Sequence, residues 1–238
     1  MPEFQPAPAA LPEDNRVYAI GDVHGCDERL ARLHGLIAED LSARPVPHPL
    51  LLHLGDYVDK GPDSAGVVAR LAAGPPLRGV PTVNLMGNHE RTMLDALDGQ
   101  PAAITDWLYS GGEHALASWR IGLDSPAAGW ARMIPAAHLG FLRALPMHHR
   151  VGGYLFVHAG LKPGIPLDRQ TTDDLLRIRR TFLDSDADFG AVVVHGHTPV
   201  RHGPEIRPNR INLDTGAVFG RELTCAVLEG DRVGFLFA

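Results

Sequence analysis

Five short polar clusters are strung in order along the 238-residue chain: Gly21-Asp22-Val23-His24-Gly25, Gly55-Asp56-Tyr57-Val58-Asp59-Lys60-Gly61, Gly87-Asn88-His89-Glu90, Val157-His158-Ala159-Gly160 and His195-Gly196-His197-Thr198. Between them they offer Asp, His, Asp, Asn, His and His, with no cysteine in the set. Oxygen and imidazole donors of this kind suit a pair of divalent cations, and a two-cation centre is suited to hydrolysing phosphate esters. A single Gly-Asp-x-His-Gly match arises by chance about once per thousand chains of this size. Five compatible clusters in a fixed order are far more specific.

These residues form a site only if the fold brings them together. Val17–Ile20 and Leu50–Leu54 are apolar, strand-forming runs that end directly in Gly-Asp, and Val80–Met86 is expected to be a third strand ending in Gly87-Asn88. Between them, Leu30, Leu33, Ile37 and Leu41 recur at helical spacing, and Pro62-Asp63-Ser64 opens a second helix carrying Val67, Val68 and Leu71. Strand–helix alternation predicts βαβ units, in which ligands gather beyond the carboxyl ends of the strands. Residues 100–145 read as a helical insertion with Trp107, Trp119 and Trp130, broken at Gly111-Gly112, Pro126 and Pro135, and are expected to form one wall of the site. From residue 150 onward strands dominate: 154–157, 191–195, 210–213, 223–229 and 233–237, with one helix at 172–183, and the late hairpins are expected to build a second, mixed sheet. His148 and His149 are placed in a loop and His53 is read as structural, as is His195. Residues 1–15, rich in Pro and Ala, read as a disordered lead-in to a single domain spanning 16–238.

Composition excludes several other classes. A formal charge of −6 argues against a general nucleic-acid binder, although cations held by the acids would invert the local field for an anionic substrate. Cys26 and Cys225 lack metal-binding or disulfide-framework spacing and fit a reduced, cytoplasmic protein. No apolar stretch is long enough to span a membrane, and the N-terminus lacks the basic and apolar regions of a signal peptide.

The set GDVHG, GDYVDKG, GNHE, HAG and HGHT resembles the phosphoprotein phosphatase branch of the calcineurin-like metallophosphoesterases, over residues 17–220. It is similar to small bacterial members that include serine/threonine phosphatases and dinucleoside tetraphosphate hydrolases. The resemblance implies an α/β sandwich of two mixed sheets flanked by helices, with a metal pair such as Mn²⁺ (Fe, Zn and Mg being alternatives) at the sheet edges. It assigns Asp22 and His24 to one ion, Asn88, His158 and His197 to the other, and Asp56 to both. A water shared by the ions would attack phosphorus, with His89 as general acid and Asp59 orienting it. Lys60 and Arg179 are the candidate phosphate clamps, with Arg177 and Arg180 near enough in sequence to compete with Arg179. Lys60 departs from the family's usual arginine, keeping the charge and losing the bidentate fork. The implied substrate is a phosphorylated serine or threonine, with tyrosine as a further target. A symmetrical dinucleoside tetraphosphate hydrolase is the alternative, which Asp59 disfavours because that branch typically has a small residue there.

Overall fold

The computed structural model describes residues 2–238. In chain order its elements are β1 (Gln5–Pro6), β2 (Asn15–Ile20), α1 (Asp27–Ala43), β3 (His48–His53), α2 (Ser64–Ala72), β4 (Thr82–Asn84), α3 (Asn88–Leu97), α4 (Pro101–Trp107), α5 (Glu113–Ser118), α6 (Ala127–Met133), α7 (Ala136–Arg143), β5 (His148–Val151), β6 (Tyr154–Val157), α8 (Thr172–Arg177), α9 (Arg180–Leu183), β7 (Val192–His195), β8 (Glu205–Arg207), β9 (Arg210–Asn212), β10 (Thr224–Glu229) and β11 (Arg232–Phe237). The strands form two mixed sheets, ordered β1-β11-β10-β2-β3-β4 and β5-β6-β7-β9-β8, which is the two-sheet α/β sandwich that the motifs imply.

Strand alternation sets the layers. Tyr18, Ile20 and Leu51 face the α1, α2 and insertion helices, while Val17, Ala19 and Leu52 point the other way. There they meet Tyr154, Phe156, Val194 and Ile211 of the second sheet, and Leu155, Val157 and Val193 pack behind that sheet on Leu175 and Phe182. Because the central strands are buried on both faces, they read as continuous apolar runs.

Within the first sheet β2, β3 and β4 run parallel, and within the second β6, β7 and β9 do so. Five of these six carboxyl ends deliver one of the polar clusters, and the sixth delivers Leu213-Asp214.

Four expectations need correction. The segment 1–15, expected to be disordered, is packed over its described residues: β1 pairs with β11, Ala7 and Leu11 donate to the Asp231 and Gly230 carbonyls, and Leu11 is buried in the core between the sheets. Its prolines cost few ladder bonds because it runs along an edge. Residues 223–237 do not join the second sheet; β10 pairs antiparallel with β2 and makes the first sheet mixed. His148 and His149 lie in β5, paired with Val157 and Phe156, rather than in a loop. The helix expected at 172–183 is two short helices, because Ile178 and Arg179 leave helical geometry (ψ 142° and φ −131°).

Candidate metal and phosphoester site

Asp56 stands at the centre of the converging loops, and its two oxygens face two sets of donors. His24 Nε2 is 3.4 Å from Oδ2, and His158 Nε2 is 3.4 Å from Oδ1. Asn88 Oδ1 lies 2.9 Å from His158 Nε2 and 2.7 Å from His197 Nδ1. Two buried triads result, each with donor atoms within 4.8 Å of one another: His24, Asp56 and His89, and Asp56, His158 and His197. Such a donor set, with Asp56 common to both triads, would suit two divalent cations.

The outer shell supports the same orientation. His24 Nδ1 and His158 Nδ1 meet the Val58 and Leu54 carbonyls, each at 2.9 Å, which turns Nε2 of both rings toward the centre. Burial pushes His24 down to about 3 and His197 to about 2, so both are neutral and able to donate a lone pair. Burial also opposes charge on His158, but Asp56 outweighs it and raises this ring to about 9.

Asp22 is buried beside the triads and belongs to neither of them. Its carboxylate accepts from the His197 N–H at 3.0 and 3.2 Å, and burial together with Asp214 raises its pKa. At Gly196 a Cβ would lie 2.0 Å from Asp22 Oδ1, so the close approach of these two loops requires glycine. Gly87 is constrained in the same way by Asp56 Oδ1, at 2.2 Å.

The loop backbone is strained where the chemistry sits. His24, Asp56, Asp59, Lys60 and His197 all have positive φ, between 43° and 72°, without being glycine. Each such residue costs on the order of 1–3 kcal/mol, and such strain clusters at functional sites.

His89 Nδ1 donates to Asp59 Oδ2 at 2.7 Å, and its Nε2 faces the centre 4.0 Å from Asp56 Oδ2. His89 therefore has the same outlook as the metal-type histidines and differs from them in having a carboxylate behind it. Lys60 Nζ reaches His24 Nε2 at 2.9 Å, and Arg179 Nε donates to His197 Nε2 at 3.2 Å, so both candidate clamps are at the centre. Arg177 is tied instead to Thr92 Oγ1 and Asp173. His195 is buried against Phe182 and Gly196 O, in keeping with a structural part.

Three residues gain roles that the sequence did not indicate. Glu90 accepts from the N–H groups of Asp56, Tyr57, Val58 and Gly87 at 2.7–3.1 Å, clamping the Asp56 loop to the start of α3. Asp214, which burial pushes up to about 6, accepts from the Gly216 N–H and stands near Asp22. Trp107 donates from Nε1 to Asp59 Oδ1 at 2.8 Å. Glu90 lies inside a recognised motif, whereas no local pattern marks the other two.

A family model described as Calcineurin-like phosphoesterase matches residues 15–238. Serine/threonine-protein phosphatase 1 of Salmonella typhimurium is 28% identical over 220 residues, covering 90% of this chain and 92% of that protein. The asymmetrical bis(5'-nucleosyl)-tetraphosphatase PrpE of Bacillus velezensis is 29% identical over 235 residues, covering 86% of each. A solved structure provisionally described as a diadenosine tetraphosphatase superposes with a TM-score of 0.65 at 26% identity, covering 97% of this chain and 98% of that one.

Proposed function

Because the chain belongs to the calcineurin-like phosphoesterase family, a group of phosphoester hydrolases, we propose that it is a dinuclear-metal phosphomonoesterase acting on phosphorylated serine and threonine. The observation that carries this reading is the 2.7 Å bond between His89 Nδ1 and Asp59 Oδ2, in a buried setting, with Nε2 turned to the centre. The alkoxide released from a phosphoserine or phosphothreonine is a poor leaving group and must be protonated as the P–O bond breaks. A nucleoside diphosphate leaves as a stable anion and needs that proton far less. A carboxylate-backed imidazole is therefore of most use to a monoesterase.

Two divalent ions, Mn²⁺ for preference, held by Asp22, His24, Asp56, Asn88, His158 and His197, would supply an acidified water and neutralise phosphoryl charge. Asp56 holds both halves of the donor set in register, and Glu90 holds Asp56. Arg179 and Lys60 bind the phosphate oxygens, and Asn88 adds its amide N–H. His89 Nε2 passes its proton to the leaving oxygen, while Asp59 fixes the ring in place through Nδ1. The two free cysteines, Cys26 and Cys225, fit a reducing compartment such as the cytoplasm.

Hydrolysis of dinucleoside polyphosphates is the second reading, favoured by the PrpE relative and by the structural neighbour described as a diadenosine tetraphosphatase. Metal-stripped protein reloaded with Mn²⁺ is assayed on a phosphothreonine peptide and on diadenosine tetraphosphate, with His89→Ala alongside. Faster peptide turnover that disappears in the variant supports the monoesterase. Faster release of nucleotide from the dinucleotide overturns it in favour of the second reading.

A further inference from the structure

We propose that Trp107 is a positioning residue for the proton donor, holding His89 in line through Asp59; this rests on His89 being the general acid. The Asp59 carboxylate is gripped from two sides. Oδ2 accepts from His89 Nδ1 at 2.7 Å and Oδ1 from Trp107 Nε1 at 2.8 Å, so the group cannot rotate without losing a bond at one end. Asp59 and Trp107 are both fully buried.

The backbone at this point needs such a grip. Asp59 and Lys60 are consecutive non-glycine residues with φ of 72° and 64°, a conformation that persists only when the surroundings over-determine it. The Asp59 N–H donates to Ser64 Oγ at 2.9 Å and the Lys60 N–H to the Gly111 carbonyl at 3.2 Å. Gly111 lies in the kinked turn that follows Trp107, so one short stretch of the helical insertion, residues 107–111, holds both strained residues. The indole is fixed in turn by Gly112, where a Cβ would come within 2.7 Å of the ring, and by Trp130 packed edge-on at 5.8 Å between ring centroids.

Packing alone does not account for the choice of side chain. A phenyl ring would also fill an apolar hole, whereas the indole N–H is a donor with a single use, and here it is spent on the carboxylate behind His89. The wall of the site contributed by residues 100–145 therefore takes part in proton delivery.

The test uses the Mn²⁺-loaded full chain and two phosphate monoesters of opposite demand. Phenyl phosphate releases a basic phenolate that needs a proton, and 2,4-dinitrophenyl phosphate releases an anion that does not. Trp107→Phe is expected to lower kcat about tenfold on the phenyl ester, with KM within about twofold and less than about a threefold loss on the dinitrophenyl ester. In the Asp59→Asn background the same change is expected to add nothing further. Replacement of Trp107 by 3-benzothienylalanine keeps the bicyclic shape and removes only the donor. It should reproduce the selective loss, with metal content and melting temperature as checks on folding. Equal losses on both esters, or none on either, would overturn the proposal by reducing Trp107 to packing. His89→Ala supplies the reference. If its own loss is equal on both esters, the general-acid reading falls and the proposal with it; if His89→Ala is selective and the Trp107 variants are not, the proposal alone falls.

Discussion

Strand β3 ends in one buried histidine and leads, three residues later, to the centre of another group of them. His53 pairs with His34 of α1, Nε2 to Nε2 at 2.9 Å, and the Nδ1 atoms of both rings have no partner among the described residues. In the cleft, His24, His89, His158 and His197 surround Asp56, with Asp59 behind His89. All six rings are buried. The two groups differ in their carboxylates. Burial, with Arg70 nearby, pushes His34 down to about 4, whereas Asp56 overcomes burial and lifts His158 to about 9. The His34–His53 pair has no carboxylate in hydrogen-bond reach, whereas the cleft rings share Asp56 and, behind His89, Asp59, and so form the candidate site. Neither burial nor strand-end position separates the two groups.

Substituting the shared carboxylate should erase that distinction and have the largest effect. Asp56→Asn is expected to remove measurable turnover and to leave less than one Mn²⁺ per chain by elemental analysis, because both triads lose the charged carboxylate they share. Next comes His89→Ala, with an expected drop in kcat on the phosphothreonine peptide of about 10²–10⁴-fold and no change in metal content. Loss of an ion from this variant would instead make His89 a ligand, as its place in the first triad geometrically permits. Lys60→Arg tests the departure from the family pattern, and kcat/KM should be preserved or raised because arginine can grip two phosphate oxygens. A loss of several-fold or more would show that Lys60 is not a phosphate clamp.

The smallest effect concerns the His34–His53 pair. His34 has a folded pKa of about 4 against about 6.5 when unfolded, so its contribution to stability is complete above pH ~6.5 and is lost as pH falls toward 4, the unfolded state taking up the proton first. Urea midpoints at pH 7 and pH 5 should reveal a loss of roughly 2 kcal/mol attributable to this group. The loss should shrink in His34→Gln. An unchanged pH dependence in that variant would mean that other groups account for it.

The Asp56 site was legible because chemistry and architecture coincide in the sequence. Each of the five clusters is only a few residues long and lies at or just beyond the end of a strand or its predicted run, so local pattern located the residues and parallel topology guaranteed that they meet. Trp107 was legible as an apolar residue of a helical stretch but not as a partner of Asp59, which lies 48 residues earlier in the chain. Nothing in the neighbourhood of an indole announces where its N–H points. Asp214 was missed for a related reason: its strand, β9, is only three residues long, and the other ionisable residues of its loop, Arg221 and Glu222, stand too far along the chain to make a cluster with it. The destination of β10 and β11 was misread because hairpin periodicity reports pairing between neighbours and is silent about which sheet the hairpin joins.

The insertion of β10 beside β2 also governs when the centre can form. The strand that leads into Asp22 is flanked on one side by β3 and on the other by β10, with Ala19 opposite Ala226 and Ile20 opposite Cys225. Closing that second edge joins segments about two hundred residues apart, a slow event because loop-closure entropy is lost before the pairing rewards it. During synthesis the Asp22 loop must therefore wait for the last hairpin to emerge. A refolding chain should show strand and helix signals before it gains the ability to hold metal.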